Sequence, residues 1–201
     1  MKRLKCASIL FAFVVLLLAG CSDEAQSPVT PTDQAIQAPA PLQKNFIRYF
    51  VGKEGPDPVD PALIVYPPRI VDNGKMFGSL QEHTYFHATF SDGAPDLLSG
   101  KGVLELNYKY DPNANEGFTW GKLTVKPYAL EGSEGVWEIT WHGKMWVDMT
   151  TGQTISPLEW VGHGKGGVIN GMQLHCDDTI YMTNYLNWEG KGGKNDYVKE
   201  H

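Results

Sequence analysis

Seven stretches between Ser79 and Trp188 share one texture. "LQEHTYFHATF", "GVLELNYKY", "GFTWGKLTVKPY", "GVWEITWHGKMWVDM", "PLEWVGHG", "GVINGMQLHC" and "TIYMTNYLNW" are rich in β-branched and aromatic residues, each bounded by Gly, Pro, Asn or Asp. Side-chain character alternates along them. Leu104, Leu106, Tyr108 and Tyr110 fall on one face, with Val103, Glu105, Asn107 and Lys109 on the other. Trp137, Ile139, Trp141, Met145 and Val147 likewise oppose Glu138, Thr140, His142 and Lys144. No window of useful length carries the 3.6-residue period of a helix. Short strands at regular spacing predict an all-β domain, a sandwich or a barrel. "DPNANEG" and "MTTGQT" are hairpin turns by their residues, and no βαβ pattern occurs. Short hairpins throughout favour an antiparallel up-and-down barrel of about eight strands.

The most glycine-rich stretch is "GHGKGGVINGMQLH" (Gly162–His175). A phosphate loop needs G-x-x-x-x-G-K-[ST] before a helix; here position 159 is Glu, Gly166 follows Lys165, and the continuation is β-rich. Gly162 and Gly164 instead share one face of a strand, where glycine permits close approach of another group, and Lys165-Gly166-Gly167 makes a turn. His142, His163 and His175 fall in three successive predicted strands and share a face if those strands are neighbours. No metal is expected: there is no H-x-H pair, and His83 and His87 on one strand lie roughly 13 Å apart. Asp177 and Asp178 point to opposite faces, so they are no catalytic pair; a turn or strand end suits them. Glu138 and Glu159 lie in strands with no recognisable partner. No G-x-S-x-G, H-E-x-x-H or S-x-x-K occurs after the first 21 residues, so catalytic residues stay unassigned and no cofactor is called for. Trp137 and Trp141 read as core, whereas Trp120 and Trp146 alternate with Lys and Asp and suit a cavity rim. His142, His163, His175, Trp120, Trp146 and Glu159 are therefore the candidate ligand-cavity residues.

The first 20 residues, "MKRLKCASILFAFVVLLLAG", place Lys2, Arg3 and Lys5 before an apolar run from Ile9 to Leu18. That run is signal-peptide length and too short for a spanning helix of roughly 20 residues. Leu18-Ala19-Gly20-Cys21 resembles the lipobox of bacterial lipoproteins. The resemblance implies cleavage between Gly20 and Cys21, lipidation of Cys21 with thioether lipid and an amide-linked acyl chain such as palmitate, and a bilayer as partner. Each buried acyl CH2 contributes roughly 0.8 kcal/mol, so several chains anchor stably. Ser22, where Asp favours inner-membrane retention, leans the expected location to the outer membrane of the bacterial envelope. The reading divides the chain into 1–20 signal peptide, 21–44 lipidated Cys and disordered Pro/Ala/Ser/Thr-rich linker, 45–78 Pro-rich extended segment packing on the domain, 79–190 β-barrel and 191–201 polar tail. "GPDPVDPALIVYPPR" cannot be a helix or a central strand.

Charge and cysteine usage narrow the partners. The chain has 17 Lys+Arg against 23 Asp+Glu, net −6; losing Lys2, Arg3 and Lys5 with the signal leaves 14 against 23, net −9. That excludes the basic footprint of a nucleic-acid binder. Cys6 leaves with the signal and Cys21 takes the lipid, so Cys176 has no disulfide partner and is expected buried; Asp177 and Asp178 beside it raise its thiol pKa.

Gly135–His175, "GVWEITWHGKMWVDMTTGQTISPLEWVGHGKGGVINGMQLH", resembles bacterial small barrels related to the allene oxide cyclase and dirigent barrels, in which a strand with W-x-G texture leads into a glycine-rich hairpin. The resemblance covers about forty residues and implies an eight-stranded antiparallel barrel with a central cavity. No plant-enzyme functional residue matches here, so no substrate carries over. Two functions follow: a membrane-anchored binding module for a small apolar ligand or an envelope partner, or a cyclase- or isomerase-like barrel enzyme acting on a hydrophobic molecule, assisted by His142 or Glu159. Buried polar groups converging inside the barrel favour the second, and an apolar interior the first.

Overall fold

A computed structural model describes residues 47–93, 95–130, 132, 134–193 and 195–199. Gly20, Cys21 and the linker lie outside the described residues, as does His201. The strands are β1 (Ile47–Pro56), β2 (Ile64–Val71), β3 (Lys75–Phe90), β4 (Gly100–Asp111), β5 (Glu116–Pro127), β6 (Val136–Val147), β7 (Thr154–Lys165), β8 (Gln173–Asn184), β9 (Asn187–Gly192) and β10 (Asp196–Lys199). All neighbours are antiparallel, and the sheet closes when β1 pairs with β3. The result is an eight-stranded barrel of β1, β3, β4, β5, β6, β7, β8 and one position shared by β9 and β10. β8 pairs with β9 along Asp178–Asn184 and with β10 at Gln173–His175.

Strand alternation drives closure. Leu80, Phe86, Leu104, Leu106, Leu123, Val125, Trp137, Ile139, Trp141, Leu158, Trp160, Leu174 and Ile180 all turn inward and are buried. One end of the barrel is packed shut. Leu98, Leu130, Ile169 and Met172, from the loops 91–99, 128–135 and 166–172, fill it. The Trp137 indole N–H donates to the Leu97 carbonyl at 2.9 Å and ties the first of these loops to the core. Arg48 is buried there too, bonding Asp92 at 3.1 Å and the Pro95 carbonyl at 3.1 Å, with its guanidinium 4.2 Å over the Phe90 ring. The opposite end carries the tight turns at 72–74, 112–115, 148–153 and 185–186.

Several expectations need correction. The barrel includes more chain than 79–190: β1 closes the sheet from within the segment assigned to surface packing, and β10 comes from the supposed polar tail. Their inward residues are Arg48, Phe50, Gly52 and Glu54 in β1 and Asp196 and Val198 in β10, so apolar periodicity is weak. "GVINGMQLHC" is not one strand. Gly167–Ile169 forms a single 3-10 turn, and β8 begins at Gln173. Gly166 and Gly167 at φ 74° and 55° allow that turn. Gly162 and Gly164 do share the inward face, and a side chain at Gly164 would strike the Ile169 carbonyl. Asp177 and Asp178 lie mid-strand in β8. Pro67 and Pro68 sit in β2, whose register with β3 shifts between Tyr66 and Arg69, and among the described residues β2 pairs only with β3.

Candidate functional site

The turn-bearing end opens onto a cavity of about 150 Å3 inside the barrel. Leu106, Trp141, Met145, Leu158, Ile180 and Met182 supply its apolar wall, and Tyr108 and Tyr185 stand at its mouth. Each is an inward-facing residue of β4, β6, β7 or β8, apart from Tyr185 in the β8–β9 turn. Trp141 stacks on Trp160 with centroids 5.6 Å apart. Two hydroxyls of the wall are engaged, whereas the Trp141 and Trp160 indole N–H groups are buried with no hydrogen-bond partner among the described residues. Thr119 Oγ1 donates to the Asn107 carbonyl at 2.9 Å and Ser156 Oγ to the Lys144 carbonyl at 2.8 Å. Burial and the neighbouring Tyr185 hydroxyl push Tyr108 up to about 12, so it stays a neutral phenol at the mouth.

One inward step below Ile180 the chemistry changes. Glu54, Glu82, Asp178 and Asp196, from β1, β3, β8 and β10, are all buried, Glu54 to 0 % exposure. Glu82 Oε1 accepts the Trp188 indole N–H at 2.8 Å. Asp196 Oδ1 accepts the Asp177 amide at 2.9 Å, and Asp178 Oδ1 the Thr179 amide at 2.6 Å. No donor among the described residues reaches either Glu54 oxygen; that carboxyl faces Asp178. Two facing carboxyls hydrogen-bond only when one carries a proton. Burial, the Asp178 charge and then that of Glu82 raise Glu54 well above the usual carboxylate range. Burial raises Glu82 to about 7 against the opposing Trp188 bond, and raises Asp178 and Asp196 as well. Burial, then Asp196 and Asp178, push the Cys176 thiol up, so it is a protonated core residue.

Glycine makes the room. A side chain at Gly190 would stand 2.5 Å from Asp178 Oδ2 and 2.6 Å from Glu54 Oε1. Gly190→Ala is therefore expected to destabilise the fold by about 2 kcal/mol or more, since it wedges apart buried polar groups. Urea midpoints of the two proteins check this.

The six residues expected to line a ligand cavity lie on the outer wall. His142, His163 and His175 do share a face, as their strands are neighbours, but it is the outward one. His142 and Glu159 are 57 % and 56 % exposed, and His175 is 30 % exposed. Glu159 does have partners: His142 Nε2 is 3.9 Å and His175 Nε2 3.7 Å from its oxygens. Glu138 pairs with Lys165 at 2.5 Å. His142 and Glu159 line a shallow outer groove with Phe118, and Trp120 stacks against Phe118 on the same wall at 6.0 Å. Trp146 is exposed on the outer face of β6. Among the described residues, no group of three or more His, Cys, Asp or Glu side chains is placed to hold a metal ion. The interior carboxyls were missed, although parity signals them: Glu82 alternates in step with Leu80 and Phe86, and Asp178 with Cys176 and Ile180. No family model, curated protein or solved structure matches the chain.

Proposed function

We propose that this chain is a binding barrel that takes a small apolar molecule into the cavity at its open end, and that lipid on Cys21 holds it at a bacterial cell envelope, on the outer membrane. The cavity carries the reading: about 150 Å3 of mostly apolar space with an open mouth, the size at which an apolar cavity takes up a benzene-sized molecule. The anchor rests on the sequence from Leu18 to Cys21. Native mass spectrometry of the protein purified gently from its own host tests the binding role. The expected result is an added mass of a small organic molecule, lost on denaturation and absent from Ile180→Trp, which fills the cavity. A bare mass in both proteins sinks the ligand role and leaves the envelope-partner role. Labelling with palmitate that vanishes in Cys21→Ser is the expected sign of the anchor.

A second reading, isomerisation or cyclisation of the bound molecule, is favoured by the four buried carboxyls below the cavity. A protonated carboxylic acid beside an apolar site is a general acid. In this reading Glu82 and Asp178 replace His142 and Glu159, which lie outside the barrel. Returning the released molecule to fresh protein and following it by chromatography distinguishes the two: an unchanged molecule supports binding alone, a rearranged one supports catalysis.

A further inference from the structure

Four carboxyls inside an eight-stranded barrel are more acid than a packed core needs, and among the described residues no cation faces them. On β1 the neighbouring Lys53 points outward to Glu189, as does Lys191 on β9. Arg48 is committed to Asp92 at the closed end, and Lys101 of β4 to Asp57 at 2.6 Å. From the other elements packed on the cluster come Thr84 of β3, whose hydroxyl donates to the Gly55 carbonyl, Leu104 of β4, Leu158 and Trp160 of β7, Cys176 of β8 and the Trp188 indole of β9. Among the described residues none of these is positive. Unpaired charges in such a place cost several kcal/mol each, so protons neutralise them instead.

The cluster and the cavity share a partition. Ile180 follows Asp178 as the next inward residue of β8, and Leu158 is the cross-strand partner of Asp178; both line the cavity. Met182, also on the cavity wall, pairs with Trp188, whose indole holds Glu82. A neutral molecule above this partition excludes water from it and disfavours the charged carboxylates. Ionised carboxylates draw water toward the partition and disfavour the molecule. Such coupling is reciprocal by linkage.

We propose that Glu54, Glu82, Asp178 and Asp196 form a proton switch for the cavity, which holds its apolar ligand while the cluster is protonated and releases it when the cluster ionises. This rests on the reading of the cavity as a binding site. Burial raises all four groups, Asp178 to about 6 and Glu82 to about 7, so ionisation of the cluster falls between the two pH values of the test below.

The test is calorimetric titration of the full chain with benzene at about pH 5 and about pH 8. Affinity is expected to fall about tenfold or more at the higher pH, one group shifted by one unit being tenfold. The double variant Glu82→Gln, Asp178→Asn is expected to bind with much less dependence on pH. Equal or tighter binding of the unmodified protein at pH 8 overturns the switch and leaves the binding site standing. Undetectable benzene at both pH values removes both. A double variant that keeps the full fall overturns the assignment to these carboxyls. Should the variant not fold, carboxyl carbon NMR of the unmodified protein decides: benzene is expected to raise the Glu82 and Asp178 midpoints, and unmoved midpoints overturn the coupling.

Discussion

Denaturant unfolding is expected to show this protein at its most stable near pH 5 and to show stability falling as the pH rises to 8. The sign comes from the interior acids. Burial raises Glu54, Glu82, Asp178 and Asp196 above their values in the unfolded chain. Their contribution is complete below the unfolded value, about 4 for a carboxyl, and is lost as pH rises through the folded value, about 7 for Glu82. Glu82 alone accounts for on the order of 2 kcal/mol. Acids paired with lysine act oppositely. The Lys101 ammonium beside Asp57 lowers that carboxyl to about 2, and Lys109 lowers Asp72, so their contributions fade only in stronger acid. The two sets leave a maximum in mild acid. Glu82→Gln keeps an acceptor for the Trp188 N–H and removes the titration, so its stability at pH 8 is expected to exceed that of the unmodified protein. A profile that rises steadily from pH 5 to pH 8 contradicts this account of the interior.

Trp137→Ala is expected to destabilise the fold by about 3–5 kcal/mol, the range for emptying a large buried aromatic site. Trp137 is 0 % exposed, and it also spans from β6 to the loop 91–99 through its bond to the Leu97 carbonyl. The deletion therefore leaves a void and an unmatched buried carbonyl at once. Trp137→Phe keeps most of the volume and isolates the bond, with an expected loss of about 1–2 kcal/mol. Thermal or urea unfolding of the pair separates the two contributions. A loss below about 1 kcal/mol for Trp137→Ala would mean that the closed end is not the packed floor described here.

The barrel was legible because its middle strands are regular. β4 and β6 alternate as their sequences read, and Trp137 and Trp141 lie in the core. β1 was not legible, for a physical reason. Its outward residues Ile47, Tyr49 and Val51 are apolar and exposed, while its inward set includes Arg48 and Glu54. Apolar periodicity thus points to the wrong face, and the inward set is tolerable only because Asp92 of the closed-end loop pairs with Arg48 and because burial and the facing Asp178 favour the protonated form of Glu54. The candidate site suffered a related error. His142 alternates with Trp141, and Glu159 with Trp160. Placing those tryptophans inside puts the histidine and the glutamate outside, whatever their chemistry suggests. The acids that do face inward carry no motif, and the juxtaposition of Glu54 with Asp178 joins strands far apart in sequence.

Benzene titrated into protein with 13C-labelled methionine methyls, at about pH 5, tests the ligand cavity most directly. Met145 and Met182 line the cavity, Met172 is buried at the closed end and Met149 is exposed in the β6–β7 turn. The predicted result is a saturable shift of the Met145 and Met182 methyls, with Met149 and Met172 unmoved. Signals from Met145 and Met182 that stay in place, or that move no more than that of Met149, would contradict the claim that this barrel holds a small apolar ligand.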